Sequence, residues 1–448
     1  MKDRIQAILG VPTIRRYEQY LGLPALVGRA KKQSFIYIKE RVWKKIQGWK
    51  EKLLSQAGRE VLIKSVIQAI PTYTMSCFKL PKGLIKELEI LIRKFWWGYS
   101  RGNRKIHWLK WDRICEAKEL GGMGFKEIEK FNDALLAKQV WRMINNPDSL
   151  CHRVFKARFF PDYSILEARD SNVGSYAWKS ILSTRDVVGR GMVWRVWTGE
   201  RVRIKEDRWL PEKENGLVIS PLSQVAAETK VSSLIDQDQV RWNEEMVRNF
   251  FLPHEADLIL AIPLSLRRPP DRIAWKHTPS GMFTTSSAYK LIVSCESRSN
   301  AGSSNAESQK KFWRWLWQLR LPNKIKKFFW RACNEALPTK TNLHHWHITE
   351  SDTCDLCGEF PEDLVHAIWS CKEVAGVWSS LDWFHQYVHV QPVNYKELLA
   401  RFMQSHDDFE AKIFATAGWC VWNRRNAIHF NRAIRPVDSI CREAGSLL

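Results

Sequence analysis

The sequence predicts a mainly α-helical protein with small β-hairpins, an α+β chain, and three observations carry that expectation. Apolar residues recur every three or four positions through the first third of the chain, the pattern that one buried helix face leaves in a sequence. Strand-like alternation is confined to two short stretches in the middle. A close set of Cys and His residues in the last quarter has the spacing of a small metal-binding domain.

The helices follow in order. From Ser34 to Leu54 the apolar residues Ile38, Val42, Ile46, Trp49 and Leu53 make one face, with Lys39, Lys44, Lys45, Lys50 and Lys52 mostly off it, and Gly48 weakens its continuity. A second helix is expected from Ser55 to Ala69, stopped by Pro71, because proline disfavours helical geometry at the residue before it. A third covers Gly83 to Trp97, with Leu84, Leu88, Leu91, Ile92 and Phe95 on one side. A fourth covers Glu127 to Ile144, after the turn at Gly121-Gly122-Met123-Gly124 and before Pro147.

The middle of the chain changes character. Val193 to Trp209, VWRVWTGERVRIKEDRW, alternates on either side of Thr198-Gly199-Glu200 and predicts a β-hairpin. A second hairpin is expected at Arg272 to Thr285, turning at Pro279-Ser280-Gly281, with Ser286 as the N-cap of a helix through Val293. Residues 296–310, ESRSNAGSSNAESQK, lack apolar side chains other than alanine and read as a flexible insertion. After the aromatic block Phe312, Trp313, Trp315, Leu316 and Trp317, Pro322-Asn323 opens another helix with Asn323 as N-cap. Its apolar face is Ile325, Phe328, Phe329, Ala332, Cys333 and Ala336, and Lys324, Lys326, Lys327 and Arg331 are expected to point elsewhere.

Composition narrows the class of function. The 448 residues suffice for two or three domains, and 45% hydrophobic residues exclude global disorder. The 23 tryptophans favour burial, and each buried indole N–H then needs an acceptor. The net charge of +22 favours a polyanionic partner, since Lys and Arg displace the counterions condensed on nucleic acid. Residues 1–110 hold 24 Lys and Arg against 7 Asp and Glu, so most of the excess sits in the first quarter. Cys77, Cys115, Cys151 and Cys420 are scattered in apolar runs and read as buried thiols, unlike a secreted disulfide framework. Met1 to Gly10, MKDRIQAILG, has no long apolar core, and no run approaches the length of a membrane span. An intracellular, reducing compartment is therefore expected, and a polyanion partner points to the nucleus.

Residues 354–371, CDLCGEFPEDLVHAIWSC, have the spacing C-x2-C-x8-H-x4-C. Cys354 and Cys357 can turn both sulfurs to one ion, with Gly358 in the tight turn that follows. Pro361 is expected to start a short helix presenting His366, and Cys371 returns past its end. Three thiolates and one imidazole suit a closed structural Zn²⁺ site with no open position for catalytic water. His344, His345 and His347 are rival ligands, and three thiolates fall short of an iron–sulfur cluster.

Other chemistry lacks its signatures. No G-x-S-x-G, phosphate loop or Cys–His pairing stands outside the metal cluster. The adjacent pair Asp407-Asp408, in QSHDDFEAK, reads as solvated charge before a helix; a polymerase pair would sit at a hairpin tip between apolar strands.

Several blocks closely resemble plant LINE-type (non-LTR) retrotransposon reverse transcriptases. They are YLGLPALVGRAK at 20–31, YIKERVWKKIQGWKEKLLSQA at 37–57, AIPTYTMSCFKLP at 69–81, RKFWWG at 93–98 and RKIHWLKWDRICEAKELGGMGF at 104–125. GMVWRVWTGERVRIKEDRWLP and WKHTPSGMFTTSSAYKLI continue the likeness, and LRLPNKIKKFFWRACNEALPTKTNL through Cys371 resembles the zinc-binding domain of those elements. The resemblance implies a parent polyprotein with endonuclease, reverse transcriptase and often ribonuclease H parts, and a chain that begins after the catalytic palm. The Tyr/Phe-x-Asp-Asp motif of that palm is absent, and WCVWNRRN at 419–426 looks like the lead-in to a ribonuclease H domain whose carboxylates are absent too. The family's zinc ligands carry over to Cys354, Cys357, His366 and Cys371.

The implied organisation is a thumb- and connection-like helical region at 1–150, a connecting region at 151–270, a zinc-binding domain at 271–385 and a helical lead-in at 386–448. The expected function is binding of template–primer RNA or DNA by a zinc-containing, non-catalytic fragment of an RNA-directed DNA polymerase. Lys44, Lys45, Lys50 and Lys52, and a second set of Lys324, Lys326 and Lys327, are the candidate phosphate contacts. An active reverse transcriptase or ribonuclease H-related enzyme and a zinc-dependent protein-interaction module are the alternatives.

Overall fold

The structure, a computed structural model, describes residues 19–24, 27–50, 54–98, 106–168, 174–211, 216–222, 226, 228–297, 306–387, 389–434, 436 and 440. The predicted features at Met1 to Gly10, Lys52, Leu53 and 298–305 lie outside these residues. The fold is mostly helical, and among the described residues its strands form only three antiparallel two-stranded pairs. No helix among them is long and apolar enough to cross a membrane.

Two compact units divide the described chain, each drawing on three separate stretches. One lies within 1–38, 71–85 and 128–301, and the other within 39–70, 86–127 and 302–448.

The first unit is organised by the helix Ile128–Asn145. It buries residues around most of its circumference because the helices Thr72–Met75, Tyr176–Leu182, Arg185–Gly191 and Thr285–Ser297 all pack on it. Asn132 is fully buried on this helix, and its carboxamide accepts from the Leu80 N–H at 2.7 Å and donates to the Met75 and Phe78 carbonyls at 2.8 and 3.0 Å. Those bonds satisfy backbone groups where the helix after Pro71 ends, so a polar residue in the core costs little. Trp178 stacks against Phe155, Phe159 and Phe160, and Trp275 meets Trp141 edge-on at 5.7 Å. A second cluster surrounds Trp209 and Trp242, whose indoles donate to the Ile204 and Ile262 carbonyls.

The two hairpins do not form as predicted. Met192–Arg195 pairs with Arg272–Trp275, a partner far along the chain, while only the Trp194 N–H reaches back to the Arg208 carbonyl at 2.7 Å. The turn at Thr198-Gly199 exists, but Asp271 holds it. Its carboxylate accepts from the backbone N–H groups of Trp197, Thr198, Gly199 and Arg201 at 2.7–3.1 Å. Four such donors, opposing the effect of burial, lower the Asp271 pKa. The long-range pairing wins because it brings this buried acceptor to a turn whose amides would otherwise be unsatisfied. Around Pro279-Ser280-Gly281 only the first strand forms, closed by Trp275 N–H donating to Gly281 O at 2.7 Å. The helix after it begins at Thr285, capped by the Thr284 hydroxyl rather than by Ser286.

Ile36–Lys50 and Lys82–Trp97 are helical as expected, and in their second-unit portions, 39–50 and 86–97, Trp49 meets Phe95 at 5.6 Å. Ser55 caps Gln56–Leu62, and one π-helical turn, Ile63–Ile67, carries the chain toward Pro71. The ends of the supposed insertion are helical: Glu296 lies in Thr285–Ser297, and 306–310 opens the helix Ala306–Gln318. Alanine, glutamate and lysine favour a helix strongly enough to extend the amphipathic aromatic block toward its N-terminus. Asn323 is the first residue of Asn323–Cys333, and Pro322 precedes it without a side-chain cap.

Gly121, at φ +92°, lets the backbone run beneath a tryptophan layer. A Cβ there would sit 2.7 Å from the Trp313 ring, and its carbonyl accepts from the Trp330 indole at 2.7 Å. Not every indole is satisfied: among the described residues the buried N–H groups of Trp96, Trp97, Trp111, Trp313 and Trp317 have no acceptor. Ring-on-ring packing, such as Trp96 against Phe125 at 5.1 Å and Trp330 at 6.1 Å, outweighs that cost here. Of the cysteines expected to be buried, Cys115 and Cys420 are, Cys77 is half-buried and Cys151 is exposed on the helix Leu150–Phe159.

Candidate metal centre

A small knuckle carries the first two ligands. Cys354 N–H donates to Phe360 O at 2.8 Å, and Gly358 N–H donates to Cys354 O at 3.0 Å. Thr353 and Pro361 close the knuckle as an isolated antiparallel bridge. Gly358 takes φ +69°, the left-handed turn that the sequence predicted for it. Pro361 therefore belongs to the bridge, and the helical turn starts later, at Leu364. Asp363 caps that turn by accepting from the His366 N–H at 2.7 Å. His366 begins the π-helical turn His366–Ser370, and the Cys371 N–H closes it on the His366 carbonyl at 3.1 Å.

These constraints converge four donor atoms. The ligating atoms of Cys354, Cys357, His366 and Cys371 all lie within 4.8 Å of one another. Cys357 Sγ is 3.3 Å from His366 Nε2. A tetrahedral ion with Zn–S bonds of about 2.3 Å needs S···S edges of about 3.8 Å, so the cluster fits zinc with small side-chain shifts. Cys354, Cys371 and His366 are buried, which shields a closed site from solvent. His344, His345 and His347 are exposed and stand outside the cluster.

The electrostatics are uneven. The Glu359 backbone N–H, working against burial and aided by the Phe360 N–H and the His366 ring, brings the Cys357 thiol down to about 6. Burial pushes Cys371 up to about 12 and raises Cys354, although the Leu356 N–H lies 3.4 Å from the Cys354 sulfur. Cys357 is therefore the most readily ionised of the three thiols. A dication supplies the positive charge that keeps all three ionised.

Distant residues anchor the knuckle, and sequence reading missed all of them. Glu362, 1% exposed, takes a two-pronged ion pair from Arg425 and accepts from the Lys340 N–H at 3.1 Å. Asp355 pairs with Lys340, and the His429 ring lies 3.0 Å from its second oxygen. Arg425 and His429 both lie on the helix Asp408–His429. Nothing in WCVWNRRN distinguishes Arg425 from its neighbour Arg424, so no local signal could have found this pair. The indole of Trp378 donates to Ile368 O at 2.8 Å, fixing the turn between the last two ligands.

The candidate phosphate contacts fare differently. Lys44 and Lys45 are exposed on Ile36–Lys50 beside Arg41; the Lys50 side chain and Lys52 lie outside the described residues. Lys324 is exposed, with its ammonium 4.5 Å from the centroid of the Trp419 ring. Lys326 donates to Trp317 O at 2.9 Å. Lys327 does not point away from the core: it is 5% exposed and paired with Glu60. An ammonium already desolvated and paired is not offered to phosphate. Asp407 and Asp408 do precede a helix, where the Asp407 carboxylate accepts from the Phe409 and Glu410 N–H groups at 2.9 and 2.8 Å.

Comparison with known proteins places this cluster in context. Residues 283–378 match the family described as zinc-binding in reverse transcriptase, a stretch that contains all four ligands. A putative ribonuclease H protein of Arabidopsis thaliana is 32% identical over 369 residues, covering 80% of this chain and 57% of that protein. An uncharacterized mitochondrial protein of Arabidopsis thaliana is 40% identical over 146 residues, covering 32% of this chain and 95% of that protein. The chain thus spans a little over half the length of the first relative.

Proposed function

We propose that this chain, which belongs to the reverse-transcriptase-related family of these plant proteins, acts as a zinc-stabilised nucleic-acid-binding module of a LINE-type element and performs no catalysis by its own residues. The observation that carries this reading is the convergence of Cys354, Cys357, His366 and Cys371 within the stretch matching the reverse transcriptase zinc-binding family. Zinc, when bound, supplies cross-linking of the knuckle to the turn that follows it. The chain's own residues do the rest: Glu362, Asp355 and Arg425 hold that cross-link against the Asp408–His429 helix.

The charge of +22 supports a nucleic-acid partner, and the exposed Lys44, Lys45 and Lys324 are the contacts we assign to phosphate. Lys50 and Lys52 extend the first set in sequence. In this reading the helices of the first third serve as thumb and connection, RNA or DNA template–primer is the partner, and the protein works in the nucleus. Purified protein should carry one zinc per chain by mass spectrometry under native conditions. Its binding to a primer–template duplex should weaken steeply with salt, and Lys44→Gln with Lys45→Gln should flatten the log–log slope by roughly 2. Absence of zinc, or affinity insensitive to salt, would overturn the reading.

The name of the first relative favours a second reading, ribonuclease H-related catalysis. Hydrolysis of the RNA strand of a hybrid, or primer extension, with Mg²⁺ or Mn²⁺ would establish it over the first.

A further inference from the structure

The strand pair Met192–Arg195 and Arg272–Trp275, within the first unit, carries a charge pattern that folding alone does not reward. Its register sets Arg195 directly opposite Arg272. Directly opposed residues of an antiparallel pair project from the same face, with Cβ atoms roughly 5 Å apart, and like charges there are destabilising. Both arginines are exposed. Neither guanidinium has an acidic partner or a hydrogen-bond acceptor among the described residues.

The charged groups around this pair are engaged elsewhere. Arg203 pairs with Glu206 and with Asp207, and Arg201 donates to the Asp271 carbonyl at 3.5 Å. Asp271, next to Arg272 in the chain, spends its carboxylate on the backbone N–H groups of Trp197, Thr198, Gly199 and Arg201. The stretches 190–208 and 266–277 hold ten Lys and Arg against four Asp and Glu, so the local excess is positive even before those acids are engaged.

The fold positions the two guanidinium groups without using their donors. Arg272 lies 5.1 Å from the centroid of the Trp197 ring, and a ring attracts the cation while accepting none of its in-plane N–H groups. Arg195 rests beside the turn at Gly281, where a Cβ would come 3.1 Å from Nη2, so the glycine leaves the guanidinium its room.

We propose that Arg195 and Arg272 clamp one phosphate of a nucleic-acid strand laid across this ribbon. A phosphodiester between them replaces a like-charge repulsion with two charge-assisted contacts, and each planar fork matches phosphate oxygens. The inference rests on the nucleic-acid reading above and adds to it a contact in the other compact unit from Lys44, Lys45 and Lys324.

The test is fluorescence anisotropy of the full zinc-loaded chain with a labelled primer–template across a salt series, with thermal midpoints measured alongside. Arg195→Gln with Arg272→Gln should weaken binding about tenfold or more. It should also flatten the log–log salt slope by roughly 1, the loss of one phosphate contact. The same variant should melt at or above the wild-type midpoint, because a repulsion has been removed. Arg195→Lys with Arg272→Lys keeps both charges and should keep the slope, yet recover only part of the affinity, since an ammonium lacks the fork. Unchanged affinity in the glutamine variant, while Lys44→Gln with Lys45→Gln still weakens binding, would overturn the clamp and leave the nucleic-acid reading standing. No binding by the wild type would overturn both. Weakened binding together with a lowered midpoint would make the pair a structural feature and end the proposal. Polyglutamate competing as well, charge for charge, as the unlabelled primer–template would refute nucleic acid as the ligand in favour of an acidic protein segment.

Discussion

Replacing Glu60 by Gln removes a lone carboxylate from a nest of three ammonium groups. Lys327 is paired with it directly, Lys64 lies at 2.8 Å and Lys118 at 3.0 Å. Burial pushes the Glu60 carboxyl up, but Lys327 and then Lys64 override it and hold the pKa at about 2 against the ordinary 4.5. That difference corresponds to about 3 kcal/mol of native-state stabilisation. Lys327 moves the opposite way to a simple ion pair, down from 10.5 to about 8, because burial and its two ammonium neighbours outweigh its share of one carboxylate. The two directions are compatible: the carboxylate gains from three cations, while each cation shares one anion.

The perturbations should therefore be unequal. Glu60→Gln leaves buried positive charge uncompensated and should cost about 3 kcal/mol, whereas Lys327→Met leaves Glu60 with two partners and should cost about 1 kcal/mol. The double variant should be more stable than Glu60→Gln alone. Urea denaturation of the zinc-loaded chain at pH 7, followed by tryptophan fluorescence and circular dichroism, measures all three. A Lys327→Met loss equal to that of Glu60→Gln, or a double variant carrying the full sum, would refute the reasoning. The pH dependence follows. Glu60 has a lower pKa folded than unfolded, so its contribution is present above about 4.5 and is lost as pH falls toward 2. Lys327 also has a lower pKa folded than unfolded, but as a cation it contributes a rise in stability as pH climbs from about 8 to 10.5, and Lys327→Met should lack that rise.

Three further outcomes are expected. Cys371→Ser should abolish zinc retention and lower stability by at least about 3 kcal/mol, read by metal analysis and by new proteolytic cleavage between Asp352 and Cys371. Arg425→Met strands the buried Glu362 carboxylate and should cost about 3–5 kcal/mol in urea; Arg425→Lys should not restore it, because an ammonium cannot reproduce the two-pronged contact. Gly121→Ala combines a left-handed φ with a Cβ 2.7 Å from Trp313 and should cost about 3 kcal/mol, seen as a lower thermal midpoint.

The metal ligands were legible because they are local. Cys354 to Cys371 span one knuckle and one turn, so spacing alone dictates that four donors can meet, and the φ of Gly358 follows from that same tight turn. The helices Ile36–Lys50, Lys82–Trp97 and Ile128–Asn145 were legible because a period near 3.6 reports which face is buried. Periodicity does not report what lies opposite. It assigned Lys327 to the surface, but Glu60 stands 267 residues away and draws that ammonium into the core. It also made a hairpin of Met192–Arg195 and its neighbours, when the true partner strand arrives with Asp271.

By itself, then, the sequence determined the helical class, the excess of positive charge and the four-residue metal set, since each depends on residue type and short spacing. Only the tertiary structure decided which cations are free and which are neutralised. Arg424 and Arg425 are chemically identical neighbours, and one is clamped by Glu362 while the other has two buried N–H groups without an acceptor among the described residues. That distinction depends on which long-range partner the fold delivers, and neither composition nor spacing encodes it.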